Sequence, residues 1–158
     1  MKLLELIPGP DTKQDVLDTM ASFMEGTLGK GVVVAKDRPN FIGNRIGSWS
    51  GTHRLNWIVE NGYSVEEVDA IAGPFVGNPK TATFRLLDLV GLDISAGVAQ
   101  NLYDAVPEDE DRHRLKRTEM MQKMLDKGAL GRKAGFGFYK KVGRKFYALN
   151  LETGEYEP

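Results

Sequence analysis

Cysteine is absent from this 158-residue chain, which removes disulfides, thiolate nucleophiles and cysteine-based metal sites from consideration. Histidine is nearly absent: His53 falls mid-way along a helical pattern and His113 in a charged stretch, and their spacing makes no metal site. No apolar run approaches the ~20 residues needed to span a bilayer. The N-terminus also lacks a basic segment followed by an apolar core and a cleavage site, so a cytoplasmic protein without a membrane span is expected. Excess charge of either sign is missing too. With 21 basic against 22 acidic residues the net charge is -1, and no basic cluster points to a nucleic acid or an anionic membrane. What remains is an ordinary globular balance, 41% hydrophobic and 27% charged, in a chain long enough to bury roughly two thirds of its unfolded surface.

The first residues pose a problem of partnership. Leu3-Leu4-Glu5-Leu6-Ile7 reads as a strand closed by Pro8-Gly9-Pro10, and its only nearby partner is Val32-Val33-Val34-Ala35. An isolated strand pair is marginal in water, so the two are expected to be the end of a sheet whose remainder lies upstream. A small β-ribbon on a helical domain is the alternative. Between them Asp11, with Gln14 in the capping-box position, predicts a helix carrying Val16, Met20, Phe23 and Met24 on one stripe. Strand, helix and strand in succession suggest a crossover unit of a parallel sheet.

Asp37-Arg38-Pro39-Asn40-Phe41-Ile42-Gly43-Asn44-Arg45-Ile46 then forms a strand-to-helix junction. Pro39 disfavours α geometry at Arg38, and Asn40 is positioned to cap a helix predicted over 41–61, with Ile42, Ile46, Trp49, His53 and Trp57 on one broad face. Asn44 falls in the first turns, where its amide can present one donor and one acceptor to a ligand or simply bond its neighbours. Ser64 and Glu67 make a capping box for the next helix. Thr81 or Thr83 is expected to cap a helix carrying Phe84, Leu87 and Val90, and Asp93 a helix carrying Ile94, Val98 and Leu102. A last helix with Met121, Met124 and Leu125 ends at Gly128, its methionines filling core. Beyond Gly135 aromatics alternate with polar residues and turn formers, as in short strands with little core of their own.

Four stretches, in order, resemble the 3-hydroxyacyl-CoA dehydrogenase family of fatty-acid β-oxidation: Met1 to Pro8, Asp37 to Ile46, Phe84-Arg85-Leu86-Leu87-Asp88-Leu89-Val90-Gly91-Leu92-Asp93, and Gly131-Arg132-Lys133-Ala134-Gly135-Phe136-Gly137-Phe138-Tyr139. The resemblance implies a mainly α fold: the family's helical C-terminal domain, preceded by a short β/α remnant of a Rossmann domain. On this reading residues 1–36 are the remnant of the NAD-binding domain, 37–139 the helical substrate-side and dimerisation domain, and 140–158 a tail or linker. It further implies oxidation of 3-hydroxyacyl-CoA to 3-ketoacyl-CoA with NAD as hydride acceptor and a histidine as base. Glu5 then takes the place of the glutamate that orients that imidazole, Asn44 that of the asparagine near the substrate's reacting oxygen, and Lys133 that of a lysine approaching the cofactor. No metal is implied. The family's histidine lies upstream of its Met-Lys-Leu motif, and neither His53 nor His113 stands in its place.

A dinucleotide site also needs a strand, a Gly-rich turn and a helix opening on the pyrophosphate. Gly29-Lys30-Gly31 enters a strand and Gly135-Phe136-Gly137 follows a helix, so both are assigned to turns. NAD is therefore expected to bind mainly through a missing N-terminal domain, and the isolated fragment to be inactive. A homodimer and a downstream enoyl-CoA hydratase domain are implied partners. Two departures from the family pattern stand out: Asn40 where many members have glycine, and the 77–83 stretch, which leaves acyl-chain preference open. A non-catalytic helical oligomerisation module, or the helical domain of another β-hydroxyacid dehydrogenase, are the rival readings.

Overall fold

A computed structural model describes residues 2–158; Met1, at the start of the first motif, lies outside the described residues. The chain divides into two compact units, Met1–Gly47 and Ser48–Pro158. In the first, β1 (Leu3–Leu6) and β2 (Gly31–Val34) pair in parallel, Leu3 opposite Gly31 and Leu6 opposite Val34, with α1 (Gln14–Gly26) between them in the chain. Little is buried in this unit: Ala35 is a core residue, whereas α1 buries no residue and leaves Val16, Met20 and Phe23 exposed. Asp11 does not cap α1. The preceding residues are held in a turn in which Thr12 N–H donates to Gly9 O (3.1 Å) and Gly9 N–H to Thr12 Oγ1 (3.0 Å), and the cap position falls on Lys13 without a side-chain bond.

α2 (Gly43–Glu60) crosses the division between the units. The second unit continues with α3 (Val65–Ile71), α4 (Phe84–Val90), α5 (Leu92–Ala105) and α6 (Glu119–Asp126), interrupted by 3-10 turns at Pro74–Val76, Arg112–Leu115 and Arg132–Ala134. The fold is mainly α, as the resemblance implies. Among the described residues no helix is long and apolar enough to cross a membrane.

Helix starts show two kinds of cap. Ser64 and Glu67 form the capping box expected of them, at 3.2 and 2.9 Å. Thr83, in contrast, makes no side-chain cap bond at the start of α4. Its place is taken by Asp69 of α3, whose carboxylate accepts from the N–H groups of Thr83 (2.9 Å), Phe84 (2.7 Å) and Arg85 (3.1 Å) and from Tyr139 Oη (3.0 Å). Three orphan donors of a helix N-terminus are thereby satisfied by one side chain from the helix before it.

Residues 139–157 are part of the packed unit. β3 (Tyr139–Val142), β4 (Lys145–Leu149) and β5 (Tyr156–Glu157) make an antiparallel sheet in that order. Ala148 and Leu149 join Leu55, Ile58, Val65, Phe84, Leu92, Met121, Met124 and Phe138 in one core. The alternation beyond Gly135 does signal strands; the core they share comes from helices far away in sequence, which local pattern does not reveal.

The sheet is tied to the helices through Asp88. This carboxylate is buried, 5% exposed, and accepts from Phe138 N–H and Tyr139 N–H, each at 2.8 Å. Burial pushes its pKa above the ordinary carboxylate value, against the two N–H bonds that lower it. The approach is possible because Gly131 and Gly137 lack side chains: a Cβ on either would overlap Asp88. Phe138 is thereby set against Phe84, ring centroids 4.5 Å apart, and Tyr156 Oη donates to Gly137 O at 2.5 Å.

Two outcomes follow for stability. Gly137→Ala is expected to cost about 3 kcal/mol or more in chemical denaturation, because it overpacks a buried hydrogen-bonded joint. Gly97→Ala, in α5 with open space at its Cβ, is expected to be neutral or mildly stabilising; equal effects would sink this account. Burial also pushes the Tyr156 hydroxyl up to about 12 from 10.0, with Asp88 adding to the shift. The folded state thus favours the protonated phenol, so this contribution is complete below pH 10 and lost as pH rises towards 12. Urea midpoints should fall across that window, and by less in Tyr156→Phe.

Candidate active site

Glu5 is the third residue of β1 and is half-buried. Its carboxylate is docked on the start of α2: Oε2 accepts from Ile42 N–H (3.0 Å) and Oε1 from Gly43 N–H (2.8 Å). These are charge-assisted bonds at the positive end of a helix, where an anion is favoured. α2 begins at Gly43, three residues beyond Asn40, rather than directly after it. Asn40 and Phe41 take left-handed conformations, φ 60° and 50°, and form a turn closed by Phe41 N–H to Arg38 O (2.9 Å). Glycine occupies such a position freely and asparagine tolerates it, which gives a physical reason for either residue at position 40. Phenylalanine has no such tolerance, so the junction carries backbone strain that the surrounding bonds must hold.

Gly43 is fixed by space. A Cβ there would lie 2.7 Å from Glu5 Oε1, so the carboxylate would have to shift from its place on the helix start. Asn44 follows one peptide later, exposed on the first turn of α2. The structure therefore brings Glu5 to the turn that presents Asn44. Each Glu5 oxygen has used one acceptor direction, which leaves capacity for a further donor such as an imidazole N–H.

Lys133 lies in the second unit, in the 3-10 turn Arg132–Ala134. Its Nζ is 2.6 Å from both carboxylate oxygens of Asp93 in the first turn of α5. The hydrogen bond from Lys133 holds the Asp93 carboxyl below the usual carboxylate range. Gly91, at φ 103°, borders this pair: a Cβ there would come within 3.0 Å of Asp93 and 3.2 Å of Lys133 Nζ. His53 Nδ1 lies 3.1 Å from a guanidinium nitrogen of Arg114, and its ring lies 5.4 Å from that of Trp49; His113 is exposed in a 3-10 turn.

Among the described residues no group of three potential ligands could hold a metal ion. The residues present also do not fit a dinucleotide. The turn from β1 to α1 is Ile7-Pro8-Gly9-Pro10-Asp11-Thr12-Lys13, without the glycines that let a backbone approach a pyrophosphate. An open cleft of about 370 Å³ in the second unit, lined by Met120, Met124, Phe136 and Leu151, contains none of the sequence-predicted site residues. Asp69 and Asp88 were not legible as structural anchors, and Asp93, expected as a helix cap, instead sits in the first turn of α5 paired with Lys133. The one available signal was the density of glycines in 131–137, which marks a close backbone approach without naming what approaches.

The sequence model of the 3-hydroxyacyl-CoA dehydrogenase C-terminal domain matches residues 41–141. A probable 3-hydroxyacyl-CoA dehydrogenase of Bacillus subtilis (strain 168) is 50% identical over 99% of this chain and 20% of its own length. A putative fatty acid oxidation complex trifunctional enzyme of Rickettsia prowazekii is 30% identical over 100% of this chain and 23% of its own. Among solved structures, M. tuberculosis FadB2 superposes with a TM-score of 0.74 at 26% identity, covering 90% of this chain and 48% of that one. The chain thus spans less than half the length of each of these proteins. Spanning α2 to α6 and the stretches Phe84 to Asp93 and Gly131 to Tyr139, the match at residues 41–141 shows that the chain belongs to the 3-hydroxyacyl-CoA dehydrogenase family, through that family's C-terminal domain.

Proposed function

We propose that this chain is the C-terminal, substrate-side part of an NAD-dependent dehydrogenase that oxidises 3-hydroxyacyl-CoA to 3-ketoacyl-CoA in the cytoplasm. The observation that carries this reading is the docking of Glu5 on the start of the helix that presents Asn44. Removing hydrogen from a 3-hydroxyl group requires a base for its proton and donors that hold the oxygen as it becomes a carbonyl. Asn44 donates its amide N–H to that oxygen. Glu5, already held by two backbone N–H groups, accepts a third hydrogen bond from the imidazole N–H of a base outside this chain and stabilises the imidazolium as the proton arrives. NAD supplies the redox chemistry when bound to the whole protein, and Lys133 is the residue of this chain assigned to approach it.

The surroundings support a remnant of a larger unit on one side and an oligomer on the other. β1, β2 and α1 leave Leu3, Val16, Phe23, Val33 and Val34 exposed, as the end of an extended sheet would. On the second unit, Trp57, Ile71, Phe75, Val76, Leu89 and Ile94 are exposed apolar residues suited to a homodimer contact. Likeness to a protein named as a trifunctional fatty acid oxidation enzyme supports a downstream enoyl-CoA hydratase domain.

Joined to an NAD-binding N-terminal half, the chain is expected to form NADH from 3-hydroxyacyl-CoA, and Asn44→Ala to lower kcat/KM by roughly 10²-fold through loss of a donor to the reacting oxygen. The chain alone should form no NADH and should sediment as a dimer. Turnover of free hydroxy acids in preference to the thioester would overturn the substrate assignment.

A further inference from the structure

Glu5 has more to do at this junction than face an imidazole. The turn before α2 places two successive side-chain-bearing residues, Asn40 and Phe41, at φ 60° and 50°. Chains leave that conformation readily unless neighbouring bonds over-determine it. Two kinds of bond do so here. Arg45 N–H to Asn40 O (3.1 Å) and Ile46 N–H to Ile42 O (3.0 Å) close the first turn from within. From outside, the next two donors in line, Ile42 N–H and Gly43 N–H, are both taken by Glu5, 37 and 38 residues away in the chain. The peptide that follows carries Asn44. Its side chain is therefore aimed by a backbone whose conformation the Glu5 carboxylate fixes.

Gly43 completes the device. No positive φ requires glycine at this position, and α2 would form more readily with alanine there. What requires it is the carboxylate itself, 2.7 Å from where a Cβ would stand. A side chain at 43 would force the Glu5 carboxylate to shift from the position in which it accepts both N–H groups, and a Cβ there meets no atom but those of Glu5 within 4 Å beyond its own stretch of chain.

We infer that Glu5 and Gly43 form a clamp that positions the Asn44 amide, so that the residue facing the proton acceptor and the residue facing the reacting oxygen are mechanically one unit. This rests on the substrate-side reading of Asn44 given above. Gly43 is a positioning residue, acting only through Glu5 and Asn44.

Two measurements test it. The first uses this chain and no substrate. Amide hydrogen exchange at Ile42 and Gly43 should accelerate by about tenfold or more in Glu5→Ala, and Ile42 and the amide at position 43 should respond likewise in Gly43→Ala, with α5 unchanged, as expected for a local opening. Unchanged exchange in both variants overturns the clamp. The second uses the chain joined to an NAD-binding half and a double-mutant cycle. Gly43→Ala should lower kcat with little change in KM, and the double variant Gly43→Ala, Asn44→Ala should be no slower than Asn44→Ala alone. Additive losses, or full activity in Gly43→Ala while Asn44→Ala is impaired, overturn the positioning role. Full activity in Asn44→Ala instead overturns the reading of Asn44, and the positioning role with it, whatever the exchange data show.

Discussion

A carboxylate enclosed by the fold is costly unless its oxygens find donors, and in the second unit the donors Asp88 finds are the backbone N–H groups of Phe138 and Tyr139. Meeting that requirement dictates much else. The backbone must come close enough for both bonds, which excludes a side chain at Gly131 and at Gly137. It must then leave in an extended conformation, which begins β3 at Tyr139. Phe138, between the two, is fully buried and lies against Phe84 of the same helix that carries Asp88. One side chain thus sets the position of the terminal sheet on the helical core, and the apolar contacts are made where the polar joint puts them.

The same device recurs among the described residues. Glu5 holds Ile42 and Gly43, Asp69 holds Thr83, Phe84 and Arg85, and Asp88 holds Phe138 and Tyr139. This explains which parts of the fold were legible in the sequence. Helices announce themselves by apolar periodicity, and the Ser64–Glu67 box by a spacing of three, because both are local. Asp11, Asn40, Thr83 and Asp93 were equally plausible caps by local rules, yet the chain turns at Pro10-Asp11 and at Asn40-Phe41, and the carboxylates that do the capping at α2 and α4 come from other elements. A cap supplied from 14 to 38 residues away leaves no periodic trace. For the same reason 140–158 read as a segment with little core of its own: its strands share a core assembled from residues as far back as Leu55.

The candidate site was legible to a different degree. Glu5, Asn44 and Lys133 came from resemblance, and the geometry adds what each touches: the start of α2, the exposed first turn, and Asp93. More informative is how the four resembling stretches combine. Met1 to Pro8 and Asp37 to Ile46 meet in the bonds from Glu5 to Ile42 and Gly43. Phe84 to Asp93 and Gly131 to Tyr139 meet twice, through Asp88 with Phe138 and Tyr139 and through Asp93 with Lys133. Four motifs in sequence are two pairs in space, held at three joints. Much of what looks like a family signature along the chain is therefore the chemistry of folding, a carboxylate on one segment and a glycine-cleared backbone on the other.

That overlap bears on how a reacting oxygen is held in place. A donor assists in a transition state only if it is already aimed when charge develops, since reorientation during the reaction would consume the gain. An exposed asparagine on the first turn of a helix has no packing to aim it, and helix ends fray. Strain at Asn40 and Phe41 would make fraying easier. Glu5 opposes both tendencies with one anion, placed where the helix end is electropositive. The same anion keeps an acceptor direction on each oxygen for a proton-carrying partner. A neutral residue could cap the helix, and a carboxylate elsewhere could orient a base; in the proposed reading a carboxylate at this position serves for both, with glycine next to Asn44 as the steric condition.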